Sequence, residues 1–331
     1  MTPDGSPIPA PPACPVCADA AVRSFALAQD RLFGKAEGRF RLLRCSSCGC
    51  IYQHPFPECT DLASFYPESY WWAGPRRKGI PGFLSRLEQV YREFVGQGHV
   101  RFLEGCAAGI IGRRLLDIGC GSGTFLHLAR KRGFEPHGLD MSREAVATAQ
   151  AQYGLPVRQG DIGGEAWKGD RFDFITMFHV LEHLPDPRQA LEAAGRLLTP
   201  GGRLILQVPN VSSLQARIFG ARWYGLDVPR HLINFTPRGL ALMLDRAGFT
   251  ADVAARFSLR DNPAALASSL AIGLDPIGRR GRGRRRYPIV EEALELVYFA
   301  LFLLSTPPAL LESWCGYGAT LWVQAQKAPP R

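Results

Sequence analysis

The chain has 331 residues, 46% of them hydrophobic and 21% charged, with 39 Lys and Arg against 30 Asp and Glu for a net charge of +9. That length and apolar content exclude a disordered chain and leave room for a sizeable core and more than one domain. The charge excess is local, since six arginines lie between Arg279 and Arg286, so it describes one surface and not a nucleic-acid footprint spread over the fold.

Residues 1–12 are proline-rich, carry an acid and lack both a basic start and an apolar run, so no secretory leader is expected and the nine cysteines are expected in a reducing cytoplasm. Cys14-Pro-Val-Cys17 and Cys45-Ser-Ser-Cys48 form a C-x-x-C…C-x-x-C pair. Two such turns can place four thiolates tetrahedrally around a structural zinc ion, leaving no position for water or substrate. Gly49 suits the second turn, Cys50 is a spare that can substitute in register, and a hairpin or small insertion is expected to fill the long gap. Free thiols or disulfides are the alternatives. An aromatic stretch follows, Phe65-Tyr66-Pro67-Glu68-Ser69-Tyr70-Trp71-Trp72, then an amphipathic helix over 83–95 with apolar residues at 83, 84, 87, 90, 91 and 94.

Leu115-Leu116-Asp117-Ile118-Gly119-Cys120-Gly121-Ser122-Gly123-Thr124-Phe125-Leu126 reads as strand, tight loop and helix. The third glycine of a dinucleotide fingerprint would fall on Thr124, so the pattern is G-x-G-x-G with Asp117 two positions ahead of it. A second strand ends on Asp140, where an acid about 20 residues past the loop can accept ribose hydroxyls. Leu155–Ile162 is expected as the third strand and Arg171–His179 as the fourth. Leu197–Asn210 reads as helix end, turn and fifth strand.

These matches, in this order, resemble the class I S-adenosylmethionine-dependent methyltransferases over roughly 106–260 plus the C-terminal strand. A different nucleotide-binding doubly wound domain is the alternative. The resemblance implies an α/β doubly wound, mostly parallel seven-stranded sheet. It implies cofactor contacts from Asp117, Gly119, Gly121, Gly123, Asp140, Met141, Asp161, Ile162 and Phe178. Residues 41–57 resemble the zinc module that precedes the methyltransferase domain of bacterial sugar C-methyltransferases, in which Cys14, Cys17, Cys45 and Cys48 would be structural ligands. The pre-motif segment of related enzymes closes over the cofactor, which makes Tyr66 and Tyr70 lid candidates; a packed aromatic cluster is the other reading.

The fourth strand runs into Phe178-His179-Val180-Leu181-Glu182-His183-Leu184-Pro185-Asp186-Pro187. His179, Glu182 and His183 share the i, i+3, i+4 spacing of one helical face. Three roles stay open for them: a general base, a divalent-metal site, or structural caps. A similar E-x-x-E-H arrangement binds a divalent ion in ubiquinone-pathway O-methyltransferases, but His179 stands at its first Glu position, which disfavours magnesium. His231, in the loop after strand five, could add a fourth ligand and is the first candidate for a catalytic histidine, ahead of His179 and His183. Thr236 and Pro237 read as N-cap and first residue of a helix over 238–247, followed by a sixth strand over 249–258.

After the arginine run comes an apolar helix from Ile289, expected to break at Ser305-Thr306-Pro307-Pro308 and resume at Ala309. The apolar run over 296–304 is too short to span a bilayer as a helix, which takes about 20 residues. Beside arginines it suits an anionic membrane surface, and a buried helix or dimer face is the alternative. Gly318–Lys327 reads as the last strand, antiparallel in the family. The expected organisation is a zinc module over 1–60, a lid and connector over 61–105, a methyltransferase domain over 106–260 plus 318–331, and a helical insertion over 261–317. The expected function is methylation of a small molecule, such as a nucleotide-linked sugar, a lipid-linked saccharide or a quinone, in the cytoplasm or peripherally at the inner face of the membrane. Nucleic-acid methylation is the runner-up, although no aromatic-interleaved basic surface points to a nucleic-acid partner. A non-catalytic cofactor-binding scaffold is the reading from a different class.

Overall fold

In the computed structural model, residues 13–57, 62, 64–66, 94–164, 166–283 and 287–328 are described. Tyr70, the part of the expected helix before residue 94, and Arg284–Arg286 lie outside the described residues.

The expected alternation of strand and helix forms from Arg114 onward. Its strands are β4 (Arg114–Ile118), β5 (Glu135–Asp140), β6 (Val157–Gln159), β7 (Phe172–Phe178), β8 (Leu198–Pro209), β10 (Phe249–Arg256) and β11 (Thr320–Lys327). They make one seven-stranded sheet in the order β10-β11-β8-β7-β4-β5-β6. The pairs from β6 to β8 are parallel, while β11 is antiparallel to both β8 and β10. Near-continuous apolar runs explain the central strands: Leu115, Leu116, Phe174, Ile175 and Leu204 to Leu206 are fully buried, as parallel strands covered on both faces must be. Strand order reverses between β4 and β7, so the crevice at their carboxyl ends is where such a sheet binds ligands.

A helix over 94–106 (α1) precedes the sheet. Helices α2 (Thr124–Arg130), α3 (Arg143–Tyr153), α4 (Pro187–Leu197), α5 (Leu214–Phe219) and α6 (Pro237–Arg246) connect its strands. Thr236 caps α6 as expected, accepting from Gly239 N at 3.0 Å. The same hydroxyl donates to Cys48 O at 2.6 Å, so one side chain ends a loop and fastens the second cysteine turn.

The N-terminal segment folds as β1 (Val22–Ala28), β2 (Phe40–Cys45) and β3 (Ile51–Gln53), an antiparallel sheet completed by β9 (Ile233–Asn234) from beyond β8. Ile51 pairs with Asn234 and Tyr52 with Ile233. Tyr52, Leu43, Leu232 and Phe235 are all buried in one apolar cluster with Cys14, Val16, Leu240 and Leu244. The cysteine segment therefore shares its core with the loop that carries His231. Truncating a core aromatic such as Phe235 to alanine would cost about 3–5 kcal/mol.

Between β10 and β11 stand α7 (Asn262–Leu270), α8 (Pro276–Gly281) and α9 (Pro288–Trp314). The expected break at Pro307 and Pro308 does not occur, because α9 runs through both. Each proline removes one backbone donor, freeing the carbonyls of Leu303 and Leu304. Those two residues are exposed, so the freed carbonyls are not sealed in a dry core, and the Thr306 hydroxyl bonds Phe302 O at 3.0 Å one turn back.

Candidate active site

The glycine loop after β4 is shaped by contacts as well as by backbone freedom. A Cβ on Gly119 would come 2.5 Å from Val180 Cγ2, and one on Gly123 would come 2.6 Å from Leu155 Cδ1. Gly121 (φ +53°) has nothing within 4 Å of its would-be Cβ, so bare backbone faces open space there. Asp140 turns back on this loop, accepting from Gly121 N and from Ser142 N at 2.8 Å each. Asp117 is buried beneath it and accepts from the Thr176 hydroxyl at 2.6 Å.

Burial pushes the Asp117 carboxyl up to about 7, against the lowering effect of Thr176 and aided by the charge of Asp140. Asp140 is raised by burial too, although its two backbone donors oppose this. Two adjacent acids that are both costly to ionise make a site short of positive charge. A sulfonium bearing an α-ammonium group would relieve it, so this donor set fits S-adenosylmethionine. Met141 and Asp161 lie exposed after β5 and β6, Ile162 is half-buried, and Gln159 Nε2 reaches Met141 O at 3.2 Å. Phe178 ends β7 edge-on to Phe125, with ring centroids 5.0 Å apart.

The segment past Phe178 departs from the expected single helical face. Only Leu181–His183 is helical, as one 3-10 turn, and His179 stands before it with φ +57°. His179 lies between two carboxylates, with Nδ1 3.3 Å from Glu182 Oε1 and Nε2 3.3 Å from Asp261 Oδ1. Burial disfavours its charge, but Asp261 and Glu182 outweigh burial and raise it to about 9. A strained, non-glycine left-handed residue is thus held as an imidazolium between two acids.

His183 and His231 face each other, their ring centroids 4.6 Å apart. Nδ1 of His183 lies 3.0 Å from Arg230 O and 3.0 Å from the Tyr66 hydroxyl; Nδ1 of His231 lies 2.8 Å from Gly225 O. A carbonyl can only accept, so both Nδ1 atoms carry protons and a neutral ring of either histidine presents its lone pair on Nε2. Burial, then the neighbouring His231, pushes His183 down to about 4. One ligand atom from each of Glu182, His183 and His231 lies within 4.8 Å of the others. Glu182 is fully buried, and its Oε2 has no hydrogen-bond partner among the described residues.

Several residues here carried no sequence signal. Arg230 is completely buried, bonded to Asp30 at 2.9 Å and to Asp227 at 2.6 Å, with its guanidinium 4.5 Å from the Phe33 ring centroid. It ties the N-terminal segment to the loop that positions His183 and His231. Behind His179 runs a second chain: His99 Nε2 meets Gln207 Oε1 at 2.5 Å, and Gln207 Nε2 donates to Asp261 Oδ2 at 3.0 Å. Tertiary packing alone brings these together, His99 from α1, Gln207 from β8 and Asp261 from the turn before α7.

The four cysteines expected as ligands do converge, with all sulfurs within 4.8 Å of one another. Cys14 to Cys48 is 3.7 Å and Cys17 to Cys45 is 3.4 Å. These distances are too long for disulfides and close to the ~3.8 Å edge of a tetrahedron with ~2.3 Å zinc–sulfur arms. Cys50 does not join them, because its sulfur accepts the Thr236 N–H at 3.5 Å.

A doubly wound sheet, a glycine loop and two acids poised for a cationic nucleoside define a methyl-donor-binding protein of the class I kind. The family model for a methyltransferase domain matches residues 87–253. A ubiquinone biosynthesis O-methyltransferase of Alkalilimnicola ehrlichii is 32% identical over 187 residues, covering 54% of this chain and 68% of its own. Its counterpart from Aeromonas salmonicida is 31% identical over 204 residues, covering 58% and 81%. A methyltransferase structure from Archaeoglobus fulgidus is 20% identical, with a TM-score of 0.46 over 74% of this chain and 99% of its own. The chain belongs to this methyltransferase family and is an S-adenosylmethionine-dependent methyltransferase.

Proposed function

We propose that the enzyme methylates a hydroxyl oxygen of a small molecule, and that Glu182, His183 and His231 activate that hydroxyl. The observation that carries this reading is the convergence of a carboxylate with two imidazoles whose lone pairs are set on Nε2, at the tip of β7 beside the glycine loop. Bound S-adenosylmethionine would supply an electrophilic methyl group, its sulfur–carbon bond giving way to the new oxygen–carbon bond with S-adenosylhomocysteine as leaving group, and the hydroxyl proton would pass to an imidazole of this trio. His231 takes that role, because burial leaves His183 a weak base. His179 acts by holding Glu182, as an imidazolium cannot accept a proton. The relatives named as ubiquinone biosynthesis O-methyltransferases support a quinol-type phenol as acceptor, with nucleotide-linked sugars and lipid-linked saccharides the other classes.

A second reading rests on the unpartnered Glu182 Oε2. With one ligand atom from each of Glu182, His183 and His231 within 4.8 Å of the others, the trio fits a divalent ion of zinc-like preference better than magnesium. Such an ion would supply Lewis acidity to a bound hydroxyl. Separately, Cys14, Cys17, Cys45 and Cys48 would hold a structural zinc. The test is methyl transfer from labelled cofactor to a panel of phenols, sugars and lipid-linked saccharides. His231→Ala is expected to lower kcat by about 10²–10⁴-fold with cofactor affinity unchanged. Transfer only to nitrogen or carbon, or an unaffected variant, would overturn the assignment. Glu182→Gln losing one equivalent of bound metal while the cysteine zinc stays would select the second reading.

A further inference from the structure

The helix α9 (Pro288–Trp314) is inside out. Every exposed residue between 289 and 314 is apolar: Ile, Val, Leu, Phe, Ala, Pro or Trp. Its most apolar 18-residue stretch has a mean hydropathy of 1.7, and only 17% of that stretch is buried. Four of its polar side chains bind the body of the protein. Glu291 binds Arg279 at 2.6 Å, Glu295 binds Arg280 at 3.3 Å, Glu312 accepts from Gln215 Nε2 at 2.7 Å, and Ser313 accepts from Asn262 Nδ2 at 2.8 Å. Water gives no reason for this arrangement, since an apolar face of this length exposed to it is unfavourable.

We propose that this face seats the enzyme on an anionic lipid surface, lying in the interface and not crossing it. The inward polar contacts decide between lying and crossing, because drawing the helix into a bilayer would strip Glu291, Glu295 and Glu312 of their partners inside hydrocarbon. At 1.5 Å per residue, its 27 residues cover about 40 Å of surface. The two ends carry what headgroups select. Tyr287 is 80% exposed just before the helix and Trp314 is 88% exposed at its end, as aromatic anchors require. Arg284, Arg285 and Arg286 directly precede Tyr287 in the chain. At the far end Leu214 N bonds Tyr317 O, the exposed Ile218 continues the patch along α5, and Arg217 lies 5.1 Å over the Tyr317 ring.

This distribution favours lipid over a second copy. A two-fold packing of α9 on itself would set Arg280, which reaches Glu295 in the early turns of the helix, against its own copy or against Arg217, whereas phosphate-bearing headgroups complement both. The segment also lies beyond residues 87–253, the span of the family match, so nothing in the common domain calls for it.

The test is flotation of the full-length enzyme with vesicles of phosphatidylcholine alone and with about one-third phosphatidylglycerol, at low and high salt. The wild type is expected to float with the anionic vesicles and to be released by salt. Leu303→Glu/Leu304→Glu and, separately, Leu311→Glu should each lower the bound fraction at least tenfold while the melting midpoint and methyl transfer to a soluble acceptor stay unchanged. A wild type that stays with the soluble fraction overturns the proposal. So does a lipid-free dimer in sedimentation that these substitutions dissociate, since a second copy would then cover the face. Should one variant fail to fold, the other, with vesicle-dependent shielding of Trp314 from an aqueous quencher read against Trp314→Phe, decides the matter.

Discussion

Replacing Arg230 by methionine removes the cation that binds the N-terminal segment to the loop that carries His231. The arginine side chain and that of Asp30 are both 0% exposed, and Asp227 is only 11% exposed. Depriving a buried pair of one partner costs about 3–5 kcal/mol, because the remaining charge is left uncompensated. Asp30 keeps backbone donors from Phe33, Lys35 and Ala36, and Asp227 keeps His231 at 3.9 Å, which places the cost near the lower end, about 3 kcal/mol. At roughly 2–4 °C per kcal/mol, the melting midpoint should fall by on the order of 10 °C. Its pH dependence has a definite sign. Burial pushes both carboxyls up, but Arg230 outweighs burial and holds both below the usual range. A depressed folded pKa gives stability that is present above the unfolded value of about 4 and is lost as pH falls through the folded one. Without Arg230, burial is opposed only by the backbone donors to Asp30 and by the histidines beside Asp227, so ionisation of the two acids becomes costly to the fold. The gap between wild type and variant should therefore be wide at pH 7 and close towards pH 3. Urea unfolding followed by tryptophan fluorescence at both pH values measures it. A gap under about 1 kcal/mol at pH 7, or one that widens in acid, would refute the reasoning. Arg230→Met/Asp30→Asn/Asp227→Asn should recover much of the loss, as removing a whole buried ionic group often does.

Asp140→Asn should weaken S-adenosylmethionine binding by about 10–100-fold in calorimetry, the worth of a hydrogen bond to a charged group, with far-ultraviolet dichroism unchanged. An amide cannot accept from both Gly121 N and Ser142 N without turning a donor on one of them. Metal analysis of the purified enzyme is expected to find zinc at the four-sulfur site, and Cys45→Ser should abolish it and lower the melting midpoint. A chelator should lower the wild-type midpoint in the same way, and a variant with full metal content would rule out Cys45 as a ligand.

Much of the architecture is written locally. The G-x-G-x-G loop, the acids at strand tips and the Thr236–Pro237 cap are short-range patterns, and each imposes its structure within a few residues. The two C-x-x-C turns are equally local, which is why four distant cysteines could be paired from spacing alone. The proline pair in α9 shows where local rules yield: residues 307 and 308 stop an isolated helix, yet a continuous one stands because the freed carbonyls lie on its exposed side.

The sequence by itself determined the order of the strands, the cofactor loop and the identity of the histidines worth watching, since all three follow from periodicity and from residue chemistry at fixed offsets. Tertiary structure alone decided which groups meet. It drew β9 into the N-terminal sheet, fixed Arg230 between Asp30 and Asp227, and clamped His179 between Glu182 and Asp261 while His231 closed on His183. Those contacts join residues as many as 200 positions apart. Buried charges must find partners wherever the packed chain offers them, and no window of sequence contains that choice.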